Sequence, residues 1–151
     1  MGRKSKRVGK LPPQYKFFLN PYTDVRFTYC PKCERKMRQR KLPLFIHVDP
    51  SNPVVINFTC RYCPDCDLLI AHKDRLEAVL AHLFTRAGRP DVLGSDYLVI
   101  GTIDRSVWHE REMLLQHTID HLHDFRETLI FEPAHYGWVQ DPAKDRGTAA
   151  Q

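Results

Sequence analysis

Tyr29-Cys30-Pro31-Lys32-Cys33-Glu34 and Tyr62-Cys63-Pro64-Asp65-Cys66-Asp67 are near-copies of one hexapeptide. Each sets two thiols two residues apart and places a proline in the loop that joins them. A tight C-P-x-C turn directs both sulfurs to one point, and two such turns supply the four thiolates of a tetrahedral metal site. One C-x-x-C shares its spacing with redox motifs. Two with the same flanks, separated by the length of a β-hairpin, specify a metal. With every position taken by a thiolate the ion keeps no open site, so its role is structural rather than catalytic.

Between the pairs, residues 36–42 and 44–48 read as extended, with Pro43 a bulge or break. Residues 49–53 (DPSNP) form a turn cluster, and 54–59 (VVINFT) a β-branched and aromatic strand. The expected product is a hairpin pinned by a cysteine loop at each outer end, entered through a short strand at 25–29. Cys60, the fifth cysteine, forms a rival C-x-x-C with Cys63 that would leave Cys66 unused. The matching flanks and shared proline favour Cys63 and Cys66, and leave Cys60 as a small hydrophobe ending a strand.

Residues 25–71 resemble the zinc-ribbon superfamily, in which two cysteine knuckles at hairpin ends hold one zinc. The resemblance implies Cys30, Cys33, Cys63 and Cys66 as ligands of one structural zinc per chain. The sequence departs from the common pattern at Glu34 and Asp67, where a glycine often follows the knuckle's second cysteine.

Charge is polarised along the chain. Residues 1–41 carry thirteen Lys/Arg against two acids, a balance of +11, and the remainder carries ten against sixteen, a balance of −6. Residues 1–14 read as a flexible basic arm. If 36–40 is extended, Lys36, Arg38 and Arg40 share one side of the strand and match the spacing of backbone phosphates. With Arg3, Lys4, Lys6 and Arg7 of the arm they form a candidate surface for nucleic acid or for an acidic protein partner. The competing explanation is a solvated edge whose charges block aggregation.

After residues 68–71, a short strand, Asp74 can cap a helix whose Leu76, Val79, Leu80, Leu83 and Phe84 recur at helical spacing. Gly88 and Pro90 stop it. Residues 97–102 (YLVIGT) read as a buried strand, and Asp104 or Ser106 starts a longer helix running to about residue 128. Along that helix His117, His121 and Asp124 line up as a low-ranked second metal or general-base site, set against a plain polar face. A further short strand is expected at 134–139.

The expected fold is therefore α+β, a zinc-ribbon β-hairpin with a helix-strand-helix C-terminal body. Its divisions are an arm at 1–14, a zinc-ribbon-like module at 15–71, a body at 72–139 and a loose tail at 140–151. No apolar run approaches the roughly 18 residues that span a bilayer, so no membrane partner is expected. Five cysteines in this arrangement fit a reducing, cytoplasmic setting. No G-x-S-x-G, H-E-x-x-H or P-loop is present, which favours a non-enzymatic binding module. Its rivals are a metal-dependent hydrolase or nuclease and a protein-protein adaptor or oligomeric scaffold.

Overall fold

The computed structural model describes residues 7–108 and 115–130. Its strands are β1 (Lys16–Asn20), β2 (Arg38–Val48), β3 (Asn52–Cys63), β4 (Leu68–His72), β5 (Tyr97–Ile103), β6 (Leu122–Asp124) and β7 (Glu127–Leu129). The helices are α1 (Lys73–Arg86), α2 (Arg105–Trp108) and α3 (Leu115–Asp120), with a 3-10 turn at Pro90–Val92. The strands form one mixed sheet in the order β6-β5-β2-β3-β4-β1-β7, in which β1 runs parallel to β4 and β7 and the other pairs are antiparallel.

That order forces the sheet to curl. β6 and β7 stand at opposite ends of it, yet only Phe125 and Arg126 separate them. A flat sheet of this width would hold its edge strands about 29 Å apart at the usual ~4.8 Å spacing. The three Cα steps from Asp124 to Glu127 reach about 11 Å at most. Hydrogen bonds follow the crossing: the Phe125 N–H donates to the Ile100 carbonyl of β5 at 3.0 Å, and the Arg126 N–H to the Tyr15 carbonyl beside β1 at 2.8 Å. The segment 122–129, two short strands joined by a bend at Arg126, thus ties both edges together and leaves little free edge for another chain to pair with.

Period-two alternation sorts the side chains. Leu42, Leu44, Ile46 and Val48 of β2, Ile56, Phe58 and Cys60 of β3, and Leu69 and Ala71 of β4 face the inside of the curl. Helix α1 covers that face with Leu76, Leu80 and Phe84, and Phe17 stacks on Phe125 with centroids 4.4 Å apart. The outer face carries two smaller clusters. Phe18, Met37, Leu68 and Ile70 pack beneath the cysteine pairs, and Phe45, Ile103 and Leu122 pack beside α2.

Several expectations are corrected. The helix expected from 104 or 106 does not reach 128: α3 ends at Asp120, and 122–129 holds the strands β6 and β7. Those residues fit a helical wheel, but as strand they satisfy two sheet edges at once, a gain no local propensity registers. The strand expected at 25–29 reduces to a single bridge, Tyr29 with Lys36, and the strand that joins the sheet is instead Lys16–Asn20. Pro43 does not break β2. It pairs opposite Asn57, and β5 pairing begins only at Leu44, so the missing N–H costs no bond to β5. At α1 the capping residue is His72 rather than Asp74, and no side chain caps the helix. The strand expected at 134–139 and the tail lie outside the described residues.

The chain before β1 is docked where it is described. The Lys10 and Leu11 N–H groups donate to the Ile119 and Leu122 carbonyls, and the Val8 and Gly9 N–H groups to the Asp124 carboxylate at 3.0 and 2.6 Å. Gly101 permits the crowding on the other side of β6, since a Cβ there would lie 2.0 Å from the His123 carbonyl oxygen.

Candidate metal centre

The two knuckles reach one point by different routes. The second is the tight turn between β3 and β4, with Cys63 the last residue of β3 and Cys66 two residues before β4. The first lies in the segment 21–37, folded over the outer face of the sheet. There the Cys30 N–H donates to the Arg35 carbonyl, the Glu34 N–H to the Cys30 carbonyl and the Met37 N–H to the Thr28 carbonyl. Asn20, 1% exposed, holds the start of this segment by donating Nδ2–H to the Val25 carbonyl at 2.6 Å and accepting the Tyr22 N–H at 2.9 Å.

Cys30, Cys33, Cys63 and Cys66 bring their Sγ atoms within 4.8 Å of one another, the one group of three or more possible metal-ligating side chains among the described residues. Cys30 and Cys66 sulfurs are 3.8 Å apart, and those of Cys33 and Cys63 3.5 Å. Metal–sulfur bonds of ~2.3 Å at tetrahedral angles put ligand sulfurs about 3.8 Å apart, so the cluster has the dimensions of a four-thiolate zinc site. None of the four is in a disulfide, and Cys30 and Cys63 are buried while Cys33 and Cys66 are half-buried.

The electrostatics point the same way. The Arg35 backbone N–H lowers the Cys33 thiol pKa, and the Lys32 N–H lies 3.3 Å from the Cys30 sulfur. Burial raises Cys63, and burial together with the neighbouring Cys33 and Cys30 thiols pushes Cys66 up to about 12. Four sulfurs this close resist becoming anions together unless a cation neutralises them.

Glu34 and Asp67, which stand where glycine is usual, both adopt left-handed backbone, with φ of 67° and 54°. Each knuckle therefore makes its turn with a side chain in place. Asp67 offsets part of the strain, because its carboxylate receives Arg126 from the closing segment and the Tyr62 hydroxyl at 3.4 Å. Arg35 and Asp65 form a 3.2 Å ion pair from one knuckle to the other.

The remaining candidates are dispersed. Cys60 is 2% exposed inside the main core, where burial pushes its thiol up to about 12. Arg3, Lys4 and Lys6 lie outside the described residues, and the Arg7 guanidinium donates to the Leu11 carbonyl. Lys36 and Arg38 are exposed, but Arg40 is half-buried over the Tyr62 ring, 5.0 Å from its centroid, so the three do not form one open row of cations. The His117 and His121 rings are 4.6 Å apart, and His121 Nδ1 donates to the His117 carbonyl at 3.0 Å. With the helix ended, Asp124 does not continue their line; its two oxygens serve Val8 and Gly9. Compared with protein-family models, with curated proteins and with solved structures, the chain matches none. No helix among the described residues is long and apolar enough to cross a membrane.

Proposed function

We propose that the chain is a non-enzymatic, zinc-bearing binding module of the cytoplasm. One zinc, held by Cys30, Cys33, Cys63 and Cys66, fixes the segment 21–37 on the outer face of the sheet. The observation that carries this reading is the mutual approach of the four sulfurs to within 4.8 Å. A closed thiolate set supplies no position for substrate or water, so activity belongs to the surface that the zinc holds in shape. Next to the first knuckle, Lys36 and Arg38 are exposed and without an ion pair among the described residues. Together with the basic N-terminal residues they favour a polyanion, and nucleic acid is the partner assigned.

Metal analysis of the purified protein should give one zinc per chain, lost in Cys30→Ser/Cys63→Ser; a folded wild type without metal would end the zinc reading. Oligonucleotide binding should weaken steeply with salt and fall when Lys36 and Arg38 are both changed to Gln. Binding that ignores both manipulations would remove nucleic acid as the partner while leaving the metal centre standing.

A further inference from the structure

A cleft open to solvent lies on the outer face of the sheet and uses neither the four cysteines nor Lys36 and Arg38, although Arg26 belongs to the segment 21–37. Three arginines from three separate segments line it: Arg26 from the segment leading to the first knuckle, Arg61 from β3 and Arg75 from the first turn of α1. Thr59 and Gln39 add neutral hydrogen-bonding groups on the same strand face, with Gln39 directly opposite Arg61 in the ladder. No Asp or Glu lines the pocket; Asp24 and Asp74, the acids nearest in sequence, stand outside its lining.

Most of the other described arginines are engaged: Arg35, Arg89 and Arg126 form ion pairs, Arg7 and Arg105 donate to carbonyls, and Arg40 stacks on tyrosine, while Arg38 and Arg86 are exposed and lie outside the pocket. Arg26, Arg61 and Arg75 have no such partner among the described residues. Like charges gathered without a counter-charge repel, and an anion between them removes the repulsion.

Two further observations mark the pocket as built to hold something. His72 lines it with a buried Nδ1 that has no hydrogen-bond partner among the described residues. His72 is also the N-cap of the fourteen-residue α1 and gives it no side-chain cap, so the positive end of that helix opens beside the arginines. Asn20, buried at the pocket's edge, fixes the loop that carries Arg26 through its bond to the Val25 carbonyl. Arg61 is half-buried in the strand face, while Arg26 and Arg75 are exposed.

We infer that this pocket binds a phosphate group. Guanidinium forks match phosphate oxygens two at a time, and a helix N-terminus and a hydroxyl complete the usual set of donors. The phosphate can be free, carried by a nucleotide, or the 5′ end of an oligonucleotide, and the shared chemistry is a tetrahedral oxyanion.

The test is titration of the full-length, zinc-loaded protein at low salt with inorganic phosphate, a nucleoside monophosphate, and one short oligonucleotide with and without a 5′-phosphate. Amide shifts are read by NMR. Saturable shifts centred on Thr59, Arg61 and Arg75 are expected with at least one probe, and the tightest of them identifies the source. Arg61→Gln/Arg75→Gln should weaken that probe at least about tenfold, and the exposed Arg26→Gln about threefold. Arg86→Gln, on α1 but outside the pocket, should change it by less than about twofold. Unchanged affinity in the double variant, or no saturable shift with any probe, overturns the inference. If the double variant folds poorly, Arg26→Gln alone decides, and unchanged affinity there overturns the inference equally. Failure here leaves the zinc and the Lys36/Arg38 surface untouched, since those residues are not in the pocket.

Discussion

The two knuckles carry nearly the same hexapeptide but have different support. The second is a hairpin turn whose flanking strands are paired on both sides, and Arg126 and Lys16 also bind Asp67 from the closing segment and from β1. The first rests on a few backbone hydrogen bonds, one bridge, and a small cluster around Phe18 and Met37. The difference teaches what a metal at this site would do. The sheet would not need it to bring Cys63 and Cys66 together, whereas the segment 21–37, with little apolar surface of its own, would be held folded back by it.

The largest effect should come from breaking the shared element. Cys30→Ser, or chelation, should lower zinc affinity by more than about 100-fold and release 21–37, while the inner core remains folded. In hydrogen exchange the Tyr22, Glu34 and Met37 amides should lose protection and those of β2, β3 and β5 keep it. Collapse of the whole sheet would show that both knuckles depend on zinc alike.

The opposite experiment attacks the sheet. In Gly101→Ala the new Cβ meets the His123 carbonyl at 2.0 Å and must push β6 off β5. A loss of about 2–4 kcal/mol is expected in denaturant melts, with zinc stoichiometry unchanged in the folded protein.

A smaller difference separates the residues after each second cysteine. Glu34→Gly relieves a left-handed residue whose side chain has no bond among the described residues, and should stabilise by about 0.5 kcal/mol once glycine's entropy is set against the strain. Asp67→Gly relieves similar strain but removes the contacts to Arg126 and Tyr62, so it should be neutral or destabilising. Equal gains in both would mean that the support of the second knuckle is backbone alone.

The smallest effect concerns α1 on the inner face, far from both knuckles. Hydrogen bonds from Lys73 and Tyr97 hold the Glu77 carboxyl below its usual range. A depressed carboxylate contributes stability that is present above its unfolded pKa near 4.5 and is lost as pH falls through the lower folded value. Glu77→Gln should therefore remove a few tenths of a kcal/mol above that pH and flatten the acid limb, since the pair is largely solvated. Zinc release, monitored in the same titration, should follow the wild-type curve.

Much of the metal centre was legible because its information is local. Spacing, proline and matching flanks place two sulfurs per turn without help from the rest of the chain, and the apolar periods of 73–86 and 97–103 are equally self-contained. Residues 122–129 were not legible. Leu122 and Phe125 fit a helix as well as a strand, and the choice was made by two sheet edges that the sequence does not show side by side. Arg40 was misplaced for a related reason: alternation put it in line with Arg38, but Tyr15, just before β1, and Tyr62 of β3 cover it. Arg26, Arg61 and Arg75 carry no common motif, so nothing in the sequence gathers them.

By itself, then, the sequence determined the four-cysteine set, the strands on either side of the turn at 49–51, and helix α1, because each follows from contacts a few residues long. The tertiary structure decided the curl of the sheet, the docking of 7–14 along β6, the fate of His117, His121 and Asp124, and the arginine pocket. Those depend on pairings across most of the chain's length, where closing the sheet outweighs the weak preference of any single segment.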